Sequence, residues 1–158
     1  MGDRSLRHAV HAVLAQVDLG KHPDLPSIQS ALETNSGRPI EIIEFPDFRE
    51  GNLCGLWVAF EDRDVVLHGP PASSWHLQQI ILHEFAHMIL GHNLTATSLS
   101  LTSVPGFAGT PLKTLGRSSF DDDAEAAAEY LADLLAARIV AGTPEPPDDP
   151  AGFSKVFG

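Results

Sequence analysis

Cysteine is nearly absent from this sequence of 158 residues, which contains only Cys54. A single cysteine excludes an intrachain disulfide and any metal site built from several thiolates. Long hydrophobic runs are lacking too, since no stretch approaches the roughly 20 apolar residues that a membrane-spanning helix needs. Residues 1–17 are amphipathic rather than continuously apolar, which does not fit a signal peptide. We therefore expect a cytoplasmic protein with no membrane association.

Basic residues are also scarce: 10 Lys and Arg stand against 21 Asp and Glu, for a net charge of −11. A protein that holds DNA or RNA needs a basic face for the phosphates, so direct nucleic-acid binding is not expected. The acidic balance favours solubility, and it would also suit a basic partner. Nothing in the composition indicates an oligomeric state.

The spacing of apolar residues divides the chain into helices and short strands. The predicted helices span 5–19, 26–35, 75–90 and 121–140, and the predicted strands span 40–45, 53–60 and 65–68, with a hairpin turn at 61–64. This order predicts an α+β fold in which a small, mostly antiparallel sheet packs on helices. We expect one domain over residues 1–141, followed by a proline-rich tail over residues 142–158.

The motif H-E-x-x-H lies inside the third predicted helix, as His83-Glu84-Phe85-Ala86-His87. Residues four apart share one face of a helix, so His83 and His87 can present two imidazole nitrogens to one Zn²⁺. Glu84 lies about 100° round the helix from His83. From there it can act as a general base that takes a proton from water, and the motif therefore indicates metal-dependent hydrolysis.

A catalytic zinc ion usually has three protein ligands, and the sequence offers two regions for the third. His92 is close by, although its spacing from His87 departs from the metzincin pattern H-E-x-x-H-x-x-G-x-x-H. Glu125 and Glu129 share a face of the fourth predicted helix, so either can bind the metal while the other contacts a ligating histidine. Small residues around Glu125 would let the two helices approach closely.

HEFAHMILGH, followed by EAAAEYLA about forty residues later, resembles the ImmA/IrrE family of glutamate-zincin metallopeptidases. The resemblance implies a zincin-like fold with Zn²⁺ held by His83, His87 and Glu125, with Glu84 as general base, and with an edge strand that holds the peptide substrate. This chain departs from the family pattern at Ala127, which replaces a second glutamate, and at Glu129, which replaces an asparagine.

The resemblance also implies a function: a zinc-dependent regulatory endopeptidase that cleaves a partner protein, expected to be a helix-turn-helix transcriptional repressor. This chain has no recognisable helix-turn-helix of its own, so the repressor would be a separate protein. The alternative is a regulatory or toxin-system protein that keeps the fold and binds a partner without cutting it. A second donor to the oxyanion is expected from Tyr130, His68 or the predicted loop over residues 93–120.

Overall fold

A computed structural model describes residues 3–44, 55–60, 62–91, 113–115 and 122–142 of the chain. The helices are α1 (Asp3–Ala15), α2 (Leu25–Ser36), α3 (Ser74–Leu90) and α4 (Asp122–Gly142), and the strands are β1 (Ile40–Glu44), β2 (Gly55–Ala59), β3 (Asp64–His68) and β4 (Lys113–Leu115). The fold class is α+β, as the sequence predicts. No helix within the described residues is both long and apolar enough to span a membrane.

Helix α3 has a defined cap at each end. At its start, the Ser73 hydroxyl accepts a hydrogen bond from the backbone N–H of His76 at 3.0 Å, which satisfies one of the donors left free in the first turn. At its end, Gly91 adopts a left-handed conformation with φ 69°, and its N–H bonds to the carbonyls of His87 and Met88. The left-handed glycine ends the helix after Leu90, the residue at which the predicted helix also ends.

Helix α1 is shorter at its C-terminal end than predicted, because apolar periodicity continues beyond it. The predicted helix runs to Leu19, whereas α1 ends at Ala15. The chain then turns, with Asp18 Oδ1 accepting the N–H of Gly20 at 3.1 Å and Gly20 at φ 78°. Leu19 is nonetheless buried in the core from its position outside the helix, which explains why the apolar pattern overestimates the helix length.

The sheet has the strand order β1-β3-β2-β4. Strand β2 pairs antiparallel with both β3 and β4, while β1 pairs parallel with β3. The sheet is therefore mixed, with two antiparallel pairings and one parallel pairing. The alternation of apolar residues predicts which side chains share a face, but it carries no information on which strands are neighbours.

The packing between sheet and helices is visible at the start of β2. Gly55 lies opposite His68 of β3, and Trp57 lies opposite Val66. Directly opposed residues of an antiparallel pair share a face. A Cβ atom built on Gly55 would meet Ile80 of α3, so this face of the sheet is directed at α3. Val66 belongs to the same buried core as the apolar residues of α3 and α4.

A buried carboxylate links the end of the β2–β3 hairpin to the chain before β1. Asp64 accepts a hydrogen bond from the Trp57 indole at 3.1 Å and forms an ion pair with Arg38 at 3.2 Å. Arg38 also donates to the backbone carbonyls of Phe60 and Arg63. These bonds satisfy a charge that would be costly to bury alone, and they fix the hairpin that carries Gly55 and His68.

Several sequence predictions fall beyond the described residues, among them those for His92 and residues 143–158. Residue 142, placed in the predicted tail, is the last residue of α4. Within the segment 93–120, predicted as one long loop, residues 113–115 form β4 and pair with residues 57–59 of β2. A strand of three residues is too short to produce a recognisable alternation in the sequence.

Candidate metal centre

Three of the predicted ligands come together where α3 packs against α4. The Nε2 atoms of His83 and His87 are 3.2 Å apart. On α4, Glu125 directs Oε2 to His83 Nε2 at 3.2 Å and Oε1 to His87 Nε2 at 3.3 Å. For each residue one ligand atom can be chosen so that all three lie within 4.8 Å of one another.

These separations are of the size found between the ligands of a small metal ion. Donor atoms about 2.0–2.1 Å from a tetrahedral zinc ion lie about 3.3 Å from each other. The two Nε2 atoms are 3.2 Å apart, and each lies 3.2–3.3 Å from a different oxygen of the Glu125 carboxylate. Two imidazoles and one carboxylate also form a donor set that suits Zn²⁺. The described residues therefore contain a possible metal-binding group made of His83, His87 and Glu125.

Small residues at the helix contact let α3 and α4 approach closely enough to bring these ligands together. Ala86 of α3 and Ala128 of α4 are fully buried, and Ala132 is nearly so. Because His83 and Glu125 are 42 positions apart in sequence, their convergence depends on this packing. His87 is buried beneath the contact, while the side chains of His83 and Glu125 are 13% and 21% exposed. The cluster is thus accessible to solvent from one side.

Glu84 lies on a different side of α3 from the two histidines and is buried, with 6% of its surface exposed. A Cβ atom built on Gly55 would be 3.4 Å from Glu84 Oε1 and 2.7 Å from Ile80 Cγ2. Because Gly55 has no side chain, the carboxyl group of Glu84 and the side chain of Ile80 can lie against the strand at this position. Glu84 and His83 both line one cleft between α3, α4 and the start of β2, where the carboxylate lies beside the three-residue cluster rather than within it.

The arrangement can thus combine a metal-binding group with a carboxylate that is not one of its three members. Comparisons with protein-family models, with curated proteins and with solved structures find no match.

The two named candidates for a second oxyanion donor differ in position. The hydroxyl of Tyr130 is 2.8 Å from His11 Nε2 of α1, and Arg7 lies over its ring. This aromatic residue therefore contributes to the contact between α1 and α4. His68 is buried at the end of β3, and its Nδ1 donates to the carbonyl of Gly69 at 2.9 Å. In the neutral ring this leaves Nε2 as an acceptor.

The same cleft contains residues that the sequence analysis did not select, namely Gly55, His76, Gln79 and Asp133. Asp133 has a signal in the sequence. It follows Glu125 and Glu129 at intervals of four residues, so the three acidic residues share a face of α4. Gly55 has no such local signal. Its importance depends on the side chains of α3 that pack over it, and only the tertiary structure identifies them.

Proposed function

We propose that this chain is a zinc-dependent endopeptidase. The observation that carries the proposal is the convergence of His83, His87 and Glu125. The two imidazole Nε2 atoms lie 3.2 Å apart, and each lies 3.2–3.3 Å from one carboxylate oxygen of Glu125. Glu84 adds a carboxylate in the cleft that leads to this group. A site that only bound zinc for stability would gain nothing from placing a buried carboxylate there.

In this proposal His83, His87 and Glu125 hold the metal ion. A zinc ion so held would supply Lewis acidity, which polarises a peptide carbonyl and makes water more acidic. Glu84 takes the proton of the attacking water and then delivers it to the leaving amine. The burial of Glu84 supports this role, because proton transfer by a fixed carboxylate needs little rearrangement of solvent.

For the substrate, we propose a separate protein that binds in an extended conformation. Strand β4 is at the outer edge of the described sheet, and it pairs with β2 two residues along from Gly55. An extended peptide can add to such a sheet edge through its backbone, and we propose that the substrate does so here. The resemblance to the ImmA/IrrE family suggests a helix-turn-helix repressor as this protein.

The test begins with the metal content of the purified protein. We expect about one equivalent of zinc per chain, retained on His92→Ala and lost on Glu125→Ala, because Glu125 contacts both histidines and the proposal makes Glu125, and not His92, the third ligand. Elemental analysis of the three proteins measures this directly. Zinc that survives Glu125→Ala but is lost on His92→Ala would show that the ligand set is wrong.

Cleavage is then measured on candidate repressors with the zinc-loaded chain, and the products are identified by mass spectrometry. Cleavage at one or two bonds, abolished by chelation and restored by zinc, is the expected result. Tight partner binding by the zinc-loaded chain without any cleavage after long incubation would contradict the proposal. It would favour instead a regulatory protein that binds its partner without cutting it.

A further inference from the structure

The cleft that contains Glu84 and His83 extends beyond them along the groove between α3 and α4. It is open to solvent along this groove. The part farther from the metal-binding group is lined by residues to which the proposed reaction assigns no role. Their chemistry indicates which substrate side chain this part of the cleft would accept.

This part of the cleft has apolar residues at its base and acidic residues exposed to solvent. Ile80 of α3 and Ala132 of α4 line it and are 7% and 3% exposed. Glu129 and Asp133 also line it, and both are exposed. A long side chain with an apolar stem and a charged end matches this arrangement, because such side chains bury the stem and keep the charge in water.

Gln79 supplies a second and independent observation. Its amide nitrogen donates to Asp133 Oδ1 at 3.2 Å, while its Oε1 is buried with no hydrogen-bond partner among the described residues. A buried carbonyl oxygen without a donor is unfavourable, and a ligand that brings N–H groups would relieve this. His76 also lines the cleft; its Nδ1 accepts the N–H of Ala72, so its neutral ring carries the proton on Nε2.

We propose that this part of the cleft is the subsite for an arginine side chain next to the scissile bond, an inference that rests on the peptidase function proposed above. The methylene stem packs on Ile80 and Ala132, and the guanidinium group lies between Glu129 and Asp133. Arginine fits better than lysine because its five N–H donors are spread over a planar fork. The fork has enough donors for both carboxylates and for the unpartnered oxygen of Gln79.

The first experiment measures binding without cleavage, on the Glu84→Gln chain. The probes are two acetylated and amidated pentapeptides, Ala-Ala-Arg-Ala-Ala and the same peptide with citrulline in place of arginine. Citrulline keeps the shape and removes the charge. Titrations followed by NMR should show about five- to tenfold tighter binding of the arginine peptide, since each partly exposed ion pair strengthens binding by up to about fivefold. Equal affinities would overturn the proposal.

Matched variants locate the effect. Glu129→Gln and Asp133→Asn should each reduce the preference for arginine over citrulline, and the double variant should abolish it. Asp123→Asn removes one negative charge from the same helix outside the cleft and should leave the preference unchanged. A loss of preference on Asp123→Asn as large as on Asp133→Asn would mean that the general acidity of the chain, rather than the cleft, selects arginine.

Cleavage by the wild-type chain with zinc separates this inference from the peptidase proposal. Cleavage of both peptides at equal rates would overturn the arginine subsite and leave the peptidase function standing. A clear preference for the arginine peptide in binding, with no cleavage of any substrate, would support the arginine subsite and overturn the peptidase function. Preferential cleavage beside arginine, lost in the double variant, supports both.

Discussion

Glu84 differs from its neighbours in the motif because it lies beside the metal-binding group rather than in it. His83 and His87 contact Glu125 of α4, whereas Glu84 lies close to Gly55 of β2. Residue 84 is one position from a proposed ligand, yet the turn of the helix directs it to a different neighbour. This separation would allow one short motif to provide both the proposed metal ligands and the proposed base.

The change Glu84→Gln should separate these roles. Glutamine has nearly the same shape as glutamate but cannot take up the proton, so zinc content and stability should remain close to wild type. Turnover should fall at least about 10²-fold, because a positioned general base typically contributes 10²–10⁴-fold. Cleavage rates and elemental analysis of the variant check both parts. Loss of zinc would instead make Glu84 a ligand, and wild-type turnover would point to a different base.

Gly55 is a residue at which the sheet and α3 approach each other closely. Replacing a strand glycine with alanine is ordinarily neutral or stabilising. Here the new Cβ would be 2.7 Å from Ile80 Cγ2, so Gly55→Ala should lower the free energy of unfolding by about 1–3 kcal/mol. Urea denaturation measures the change, and displacement of Glu84 should also lower turnover.

A double-mutant cycle provides the control for Gly55. Ile80→Ala removes the Cγ2 atom that the new methyl group would meet. In the Ile80→Ala background, Gly55→Ala should therefore lower the free energy of unfolding only slightly. If the two substitutions are simply additive, the contact with Ile80 is not the reason that position 55 needs glycine.

At the scale of the element, α3 carries both histidines close to its C-terminal end. The carbonyls of His87 and Met88 accept the N–H of Gly91, so the cap stabilises the turn that contains a proposed ligand. A Cβ atom on Gly91 would meet nothing within 4 Å. A substitution at position 91 would therefore lower the free energy of unfolding through backbone strain and not through a steric clash.

This predicts a graded response at position 91. Alanine is strained at φ 69°, so Gly91→Ala should lower the free energy of unfolding by about 1–2 kcal/mol. Asparagine tolerates the left-handed region better and should cost less. Thermal or urea unfolding of both variants provides the measurement. Equal stability of the alanine, asparagine and wild-type proteins would contradict the cap as described.

At the scale of the whole molecule, the proposed metal ion joins two helices that are separate in sequence. His83 and Glu125 are 42 positions apart, and α3 and α4 contribute much of the buried core. An ion that binds the folded chain and not the unfolded one stabilises the fold by mass action. The metal is therefore expected to contribute to global stability in addition to catalysis.

Chelation should accordingly lower the melting temperature of the wild-type protein. Free zinc at 100 times its Kd contributes about 2.7 kcal/mol, which corresponds to several degrees for a chain of this size at about 2–4 °C per kcal/mol. Differential scanning calorimetry with and without a chelator measures the shift. The Glu125→Ala chain should melt at the same temperature in both conditions. A wild-type chain that does not respond to chelation would speak against a metal joining α3 and α4.

The sequence by itself predicts the α+β class, the approximate positions of the helices and the face shared by His83 and His87. These features depend on local geometry, in which a fixed period and short caps determine where side chains point. It also predicts Glu125 as a ligand, through a resemblance, while the residues alone leave Glu129 and His92 as alternatives.

Only the tertiary structure decides the parallel pairing of β1 with β3, the presence of β4, the position of Tyr130 against α1 and the close approach of Gly55 to α3. The same holds for the cleft that places Gln79 and Asp133 beside Glu84. Each of these depends on contacts between segments far apart in the chain. Local periodicity carries no information about such contacts, because it records which face of an element is buried and not what packs against it.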